Sequence, residues 1–309
     1  DKPKKRGMDM DSNTENIIKK LPESLRDTIR ELPDNITDSF EEIRIKAGCD
    51  TFIKGMGREI SLHDAGSVTP DVLDELVNRL LDYSYYAYED ELSKGYITIE
   101  GGHRVGICGR VTLRDGKVHL IKDVSSVNIR RSRQIIGASD KIINTVCGED
   151  VRNTLIISPP KCGKTTILRD LARSLSNRGY RVGICDERSE IAGCYNGMAS
   201  YDLGSRTDIL DGCPKSEGMI MLIRSMSPDV IITDEIGRAE DVRAIEAALC
   251  AGVKTITTIH GSSFDDVINS TVGSLIRDHV FETLIFLSAA PTTGTVKKIM
   301  KLSGLKKGA

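Results

Sequence analysis

The sequence predicts an α/β protein, with a C-terminal domain built on a mainly parallel sheet and a smaller N-terminal α+β domain. After residue 137, apolar strand segments alternate with amphipathic helical segments, an order typical of a parallel sheet covered by helices on both faces. A Gly-Lys-Thr sequence at 163–165 stands between a buried strand and an apolar helix, as phosphate-binding loops do. The first half instead shows helices followed by short alternating strands, which indicates a separate domain.

Residues 12–135 are predicted to form the smaller domain. Apolar residues recur at helical spacing over residues 17–32, and a second helix begins at Pro70, since proline suits the first turn of a helix. The pattern changes to alternation on either side of Gly101-Gly102, which predicts a β-hairpin. Strands are predicted at residues 42–46, 51–54, 58–61, 96–99, 104–107, 111–113, 118–121 and 126–130.

Residues 136–309 are predicted to form the larger domain, with a boundary between residues 132 and 138. Residues 1–11 are charged and contain a proline, and we predict that they are a disordered tail or a remnant of expression. The predicted strands of the larger domain are 154–157, 181–185, 230–233, 255–259 and 282–288, and its predicted helices are 164–176, 216–226 and 240–251.

Composition restricts the class of protein. The 309 residues carry a net charge of −2, 4% are aromatic and Trp is absent, so we expect no nucleic-acid partner. No apolar run reaches the roughly 18 residues of a membrane span, and no signal peptide opens the sequence. We therefore expect a cytoplasmic protein that reaches a membrane only through a partner. The eight cysteines lack CxxC spacing, which favours small buried thiols over a zinc or disulfide framework.

Residues 158–166 form the candidate nucleotide-binding segment. Gly163 lets the backbone approach phosphate, Lys164 supplies charge for the β- and γ-phosphates, and Thr165 can ligate Mg²⁺. Serine replaces the first glycine of the usual motif, lysine replaces another common glycine, and two prolines stiffen the loop. We predict binding of ATP with Mg²⁺; the alternative is an ordinary strand–turn–helix with an accidental Gly-Lys-Thr. The candidate residues are Ser158, Pro159, Pro160, Lys161, Cys162, Gly163, Lys164, Thr165 and Thr166.

A second segment argues against that alternative. The apolar strand 230–233 ends in Asp234 and Glu235, the form of a Walker B motif. One carboxylate can hold the water shell of the metal while the next polarises the attacking water. We assign Asp234 to the metal, together with Thr165, and Glu235 to the general base.

Two further strand ends are expected in the same crevice, because ligands bind at the carboxyl ends of parallel strands. Glu187 follows the strand 181–185, and His260 follows the strand 255–259. We predict catalytic roles for both, alongside Lys164 and Glu235, with His260 sensing the γ-phosphate. The alternative for His260 is a solvated or core histidine.

These four segments together resemble the secretion ATPase superfamily, the motors of type II and type IV secretion and of type IV pili. In that superfamily a P-loop is followed by an Asp-box, a Walker B strand and a His-box. Many members have glycine where Asp234 stands, and arginine directly after the motif's isoleucine, where this chain has Gly237. The counterparts here are residues 186–190, 234–238 and 257–261, and within the superfamily residues 85–92, 95–106 and 186–194 resemble the members that act in bacterial spore formation.

The resemblance covers about residues 15–305 and implies a RecA-like C-terminal domain, ATP hydrolysis and a homo-oligomeric ring, a hexamer, on the cytoplasmic parts of a membrane-embedded channel. In sporulation this is the mother-cell side of the channel to the forespore, where hydrolysis would drive channel assembly, transport or both. It also implies that arginines of the smaller domain reach the phosphates. The candidates are Arg104 and Arg130, followed by Arg110, Arg131 and Arg133, with Arg206 and Arg224 in the larger domain; ordinary solvated charges are the alternative.

Two other functions stay open at this point. A nucleic-acid motor of the RecA-like class is one, although the near-neutral charge and the few aromatic residues count against it. A structural ring that binds ATP without useful turnover is the other. The altered loop at Ser158 and Lys161 favours that ring, whereas the intact Lys164, Thr165 and Glu235 disfavour it.

Overall fold

The computed structural model describes residues 12–55, 57–63 and 67–302, so the prediction for residues 1–11 lies outside the described part. The chain divides into two compact units, the first ending at Arg133 and the second beginning at Gln134, two residues before the predicted division. Among the helices of the described residues, none has both the length and the apolar character that a bilayer span requires.

The first unit is an antiparallel six-stranded sheet with helices, in the strand order β3-β2-β1-β6-β5-β4. The hairpin predicted around Gly101-Gly102 is present as β4 and β5. The elements are α1 Ser12–Lys20, α2 Glu23–Arg30, α3 Asp34–Thr37, β1 Phe40–Lys46, β2 Thr51–Gly55, β3 Arg58–Leu62, α4 Pro70–Leu80, α5 Glu89–Ser93, β4 Tyr96–Ile99, β5 His103–Arg114 and β6 Lys117–Arg130.

The single helix predicted over residues 17–32 is wrong, because the segment forms two helices, α1 and α2. Pro22 lies between them with ψ of 153°, an extended conformation that no helix interior accepts. The apolar spacing continues across the break, and Ile17, Leu25 and Ile29 are all buried. The periodicity therefore identified the buried face correctly but could not show the interruption.

The second unit is a seven-stranded sheet in the order β13-β12-β7-β11-β10-β8-β9, parallel throughout except for the β12–β13 pair. Its elements are α6 Ile143–Val146, β7 Thr154–Ser158, α7 Lys164–Asn177, β8 Val182–Asp186, β9 Thr207–Asp211, α8 Lys215–Ser225, β10 Val230–Thr233, α9 Ala239–Cys250, β11 Lys254–His260, α10 Phe264–Ile268, α11 Gly273–Arg277, β12 Thr283–Ser288 and β13 Thr295–Lys301.

Alternating side chains of the central strands are buried on opposite faces of this sheet. Ile156 of β7 belongs to the cluster that contains the apolar face of α7. Leu155 and Ile157 of the same strand belong to the cluster formed with α8 and α9. The sheet is therefore covered by helices on both faces. The carboxyl ends of the parallel strands β7, β8, β10 and β11 lie together, so the loops that follow these strands lie side by side.

The eight cysteines, all within the described residues, are free thiols. Cys147, Cys162, Cys185 and Cys194 are buried, whereas Cys108 and Cys250 are exposed. The prediction of small buried thiols is thus wrong for those last two, because each lies on the solvent side of its strand or helix.

Candidate nucleotide site

The candidate phosphate loop of the second unit, residues 159–163, connects β7 to α7. Part of its backbone has an uncommon conformation. Gly163 has φ of 84°, and a Cβ at this position would lie 3.2 Å from Cγ2 of Thr293 and 3.4 Å from Gly294. The loop is also braced by the β12–β13 turn, since the N–H of Gly294 donates to the carbonyl of Cys162 at 3.1 Å. Lys161 has φ of 61°, a left-handed conformation that explains why glycine is common at this place.

The ammonium group of Lys164 lies at the centre of the loop. Its Nζ donates to the carbonyl oxygens of Ser158 and Pro159 at 3.1 and 3.2 Å and lies 3.0 Å from Nδ1 of His260. Burial lowers the pKa of Lys164. The nearby carboxylates of Glu235 and Asp234 act to raise it, and Glu235 has the larger effect of the two. The ammonium of Lys164 therefore contacts the end of β7, the loop and the histidine at the end of β11.

The carboxylate of Glu235 completes a chain of three polar groups. Its Oε1 lies 2.9 Å from Nε2 of His260, and its Oε2 lies 3.6 Å from the guanidinium of Arg188. Since Lys164 can only donate, a neutral His260 with its proton on Nε2 satisfies both neighbours at once. The structure thus brings together Lys164, His260 and Glu235, three of the four predicted catalytic residues.

Asp234 is buried beside this chain, and its pKa is raised to about 6. Burial is the main cause and the carboxylate of Asp186 the next, whereas the ammonium of Lys215 acts against them. Thr165, in the first turn of α7, lines the same cavity as Asp234 at the phosphate loop. A carboxylate and a hydroxyl are hard oxygen ligands of the kind that Mg²⁺ prefers, so this donor set fits the predicted metal.

The cavity at the phosphate loop has a volume of about 270 Å³ and includes most of the predicted site. Glu187, the fourth predicted catalytic residue, does not line it. Glu187 instead lines a neighbouring cavity of about 540 Å³, which shares Glu235 and His260 with the first. Sequence reasoning missed Glu190 and Thr258, which do line the loop cavity. Its full lining is Pro160, Lys161, Cys162, Gly163, Lys164, Thr165, Thr166, Glu190, Asp234, Glu235, Thr258 and His260.

The loop after β8 is held by two buried charges of opposite sign. Asp186 is fully buried and accepts the backbone N–H groups of residues 190–192 at 2.8 to 2.9 Å. Arg169 of α7 donates to the backbone carbonyls of Glu190 and Ile191 at 2.7 and 2.8 Å. These bonds hold the loop in the conformation that places Glu190 at the cavity. Asp186, the first acid of the Asp-box, therefore bonds to the backbone of its own loop.

The candidate arginines of the smaller domain belong to the first unit. Arg104 and Arg130 face each other in register on β5 and β6, and Arg104 stacks on the ring of Tyr96 with its Cζ 3.7 Å from the centroid. Arg131 and Arg133 both donate to the carbonyl of Asp38, at 2.7 and 3.1 Å, and so hold the segment that leads into β1. A role of Arg104 and Arg130 at the phosphates stays a prediction.

A sequence model of the family described as "Sporulation stage III, protein AA" matches residues 11–306 of the chain. The chain belongs to this family. A curated relative, stage III sporulation protein AA of Bacillus subtilis (strain 168), is 43% identical over 295 residues, which cover 93% of this chain and 95% of that protein. The predicted membership is therefore confirmed.

Solved structures similar to this stage III sporulation protein AA family member include an ATPase and a pilus retraction motor. The Legionella pneumophila ATPase DotB matches with a TM-score of 0.55 at 16% identity, over 92% of this chain and 78% of that one. The pilus retraction motor PilT with bound ADP matches with a TM-score of 0.59 at 15% identity, over 84% and 77% of the two chains. The family member therefore shares the fold of these two ATPases, and the predicted α/β fold class is confirmed.

Proposed function

We propose that this protein hydrolyses ATP to ADP and phosphate as a motor of the secretion type. The observation that carries the proposal is the chain of contacts from the loop ammonium of Lys164 through His260 to the carboxylate of Glu235. It lies where four parallel strands end, beside the oxygen donors of Asp234 and Thr165. Such an arrangement suits phosphoryl transfer, in which positioning and electrostatic stabilisation supply most of the catalysis.

Each group of the site has a step to perform in this reaction. Gly163 and the N-terminus of α7 bind phosphate oxygens through backbone N–H groups, and Lys164 moves its ammonium from the loop carbonyls to the β- and γ-phosphates. Mg²⁺, held by Thr165 and Asp234, would neutralise charge on the phosphate oxygens when bound. Glu235 orients the attacking water and accepts its proton, and His260 donates from Nε2 to hold that carboxylate in position.

The relatives support a proposal for the setting of this activity. The curated relative carries a sporulation name, and the structural neighbours include a pilus retraction motor and the Legionella pneumophila ATPase DotB. We propose a homo-oligomeric ring, a hexamer, on the cytoplasmic parts of the channel between mother cell and forespore, on the mother-cell side. Hydrolysis there would power assembly of the channel or transport through it.

Phosphate release from ATP by purified protein tests the proposal. Wild type and Lys164→Ala are compared over protein concentrations that bracket oligomer formation, with the exposed Lys298→Ala on β13 as the control for loss of a lysine. We expect release that rises with assembly, that Lys164→Ala abolishes and that Lys298→Ala leaves unchanged. ATP binding without release at every concentration would instead support the structural ring, and stimulation by single-stranded nucleic acid would support the nucleic-acid motor.

A further inference from the structure

Lys215, the first residue of α8, is a nearly buried ammonium beside the candidate site. Its side chain is 12% exposed. The Nζ donates to the backbone carbonyl of Glu235 at 2.9 Å and lies 3.2 Å from Oε2 of Glu187. A buried ammonium loses hydration, so it is retained where its partners replace the lost water contacts. Both of its partners belong to loops at the edge of the sheet that carries the site.

The backbone of Glu235 has a conformation that needs such support. Its φ is 44°, in the left-handed region, which is unfavourable for a residue with a side chain. Two side chains hold the backbone of this residue, since the N–H of Glu235 donates to the hydroxyl of Thr258 at 2.8 Å while its carbonyl accepts from Lys215. The direction of the Glu235 side chain follows from this backbone conformation.

We infer that Lys215 is a positioning residue, which holds the backbone of Glu235 so that its carboxylate is directed at the attacking water. The inference rests on the proposed hydrolysis of ATP. It also assigns Glu187 a different part from the one predicted for it: Glu187 acts through Lys215, whose ammonium it orients, and does not contact the phosphates. Lys215 lines the 540 Å³ cavity and is not part of the loop cavity lining, so we expect that ATP binding does not depend on it.

The test compares kcat with nucleotide affinity in Lys215→Met. Displacement of a catalytic group by about 1 Å can lower a rate about 100-fold, so we expect kcat to fall about 10- to 100-fold. The dissociation constant for ATP, measured by titration of intrinsic or labelled-nucleotide fluorescence, should change less than about threefold, because a lost transition-state contact spares ground-state binding. Lys215→Arg, which keeps a cationic donor, should recover part of the lost kcat.

The matched control is Lys254→Met, at the opposite, amino-terminal end of the parallel strands, where Lys254 begins β11. Lys254 also pairs with a glutamate, Glu282, at 2.9 Å, but it is remote from the site. We expect Lys254→Met to keep the wild-type kcat. If Lys215→Met fails to fold, Glu187→Gln replaces it as the decisive variant, with kcat expected to fall several-fold at unchanged ATP affinity. Where Lys215→Met folds, adding Glu187→Gln to it should cause no further loss, because both changes act on one unit.

Wild-type kcat in Lys215→Met, an equal loss in Lys254→Met, or wild-type kcat in Glu187→Gln where Lys215→Met does not fold would overturn the inference and leave the proposed hydrolysis intact. A loss of ATP affinity equal to the loss of kcat would also overturn it, because Lys215 would then be a binding or structural residue. A wild-type protein that binds ATP and does not hydrolyse it would overturn the proposed function itself.

Discussion

Thr257 and Thr258 are adjacent on β11, and replacement by valine should affect the stability of the protein differently at the two positions. The hydroxyl of Thr258 accepts the backbone N–H of Glu235 at 2.8 Å, in a position that is 1% exposed. Thr257 is fully buried, and within the part of the chain that the structure describes its hydroxyl has no hydrogen-bond partner. Valine has nearly the shape of threonine and lacks the hydroxyl, so Thr258→Val and Thr257→Val isolate the value of one hydrogen bond.

The two variants should differ in the free energy of unfolding. Thr258→Val leaves a partly buried N–H without its acceptor, a loss of about 1–3 kcal/mol, whereas removal of an unpartnered hydroxyl is about neutral or stabilising. For a domain of about 150–250 residues each kcal/mol shifts Tm by about 2–4 °C, so Thr258→Val should melt roughly 2–12 °C below Thr257→Val. The loss should also reach catalysis, because the same bond holds the Glu235 backbone.

Urea denaturation followed by circular dichroism measures the two free energies, and phosphate release measures the effect on turnover. We expect Thr258→Val to lower both stability and kcat, and Thr257→Val to preserve both. Equal stabilities for the two variants would refute the reasoning, because the bond to Glu235 would then contribute nothing.

Two further predictions concern the loop and the helix that follows it. Gly163→Ala should lose about 1–2 kcal/mol of unfolding free energy from its positive φ alone, with a further loss from the contact with Thr293, and should bind ATP less tightly; wild-type stability and affinity would contradict this. Burial raises the pKa of Asp170, but hydrogen bonds from Ser139 and Arg173 outweigh it and hold the pKa below its ordinary value. A carboxyl whose pKa is lowered on folding stabilises the protein above its unfolded pKa of about 4 and loses that contribution as the pH falls. Asp170→Asn should therefore cost stability at pH 7 and progressively less below about pH 4, and a difference that does not change with pH would argue against it.

The parallel core of the second unit could be predicted because its strands are apolar and uninterrupted. The strand 230–233 matches β10 residue for residue. The sequence did not predict the two edge strands, β13 and β9. β13 contains three lysines. β9 is partly exposed, and Asp208 and Asp211 flank its two apolar residues, Ile209 and Leu210. Edge strands often carry charges that prevent further pairing, so they lack the alternation by which a strand is recognised.

The candidate site was predictable where the chemistry needs one residue type at one spacing, as it does for Lys164 and Glu235. It was not predictable where a contact depends on the loop path. Sequence alone could not show that Glu190, and not Glu187, lines the loop cavity, because Asp186 and Arg169 fold the loop back on itself. The role of Lys215 likewise depends on a contact across twenty residues that no periodicity reveals.

The nucleotide retained by Glu235→Gln tests the central claim most directly. Glutamine keeps the size of the side chain and one acceptor oxygen but cannot accept a proton from water at neutral pH. The variant is incubated with ATP and Mg²⁺, the protein is separated from free nucleotide, and the bound nucleotide is identified by chromatography, with Lys164→Ala as the control that should bind little. The account predicts ATP on Glu235→Gln and ADP on wild type. Release of phosphate by Glu235→Gln at the wild-type rate would contradict it.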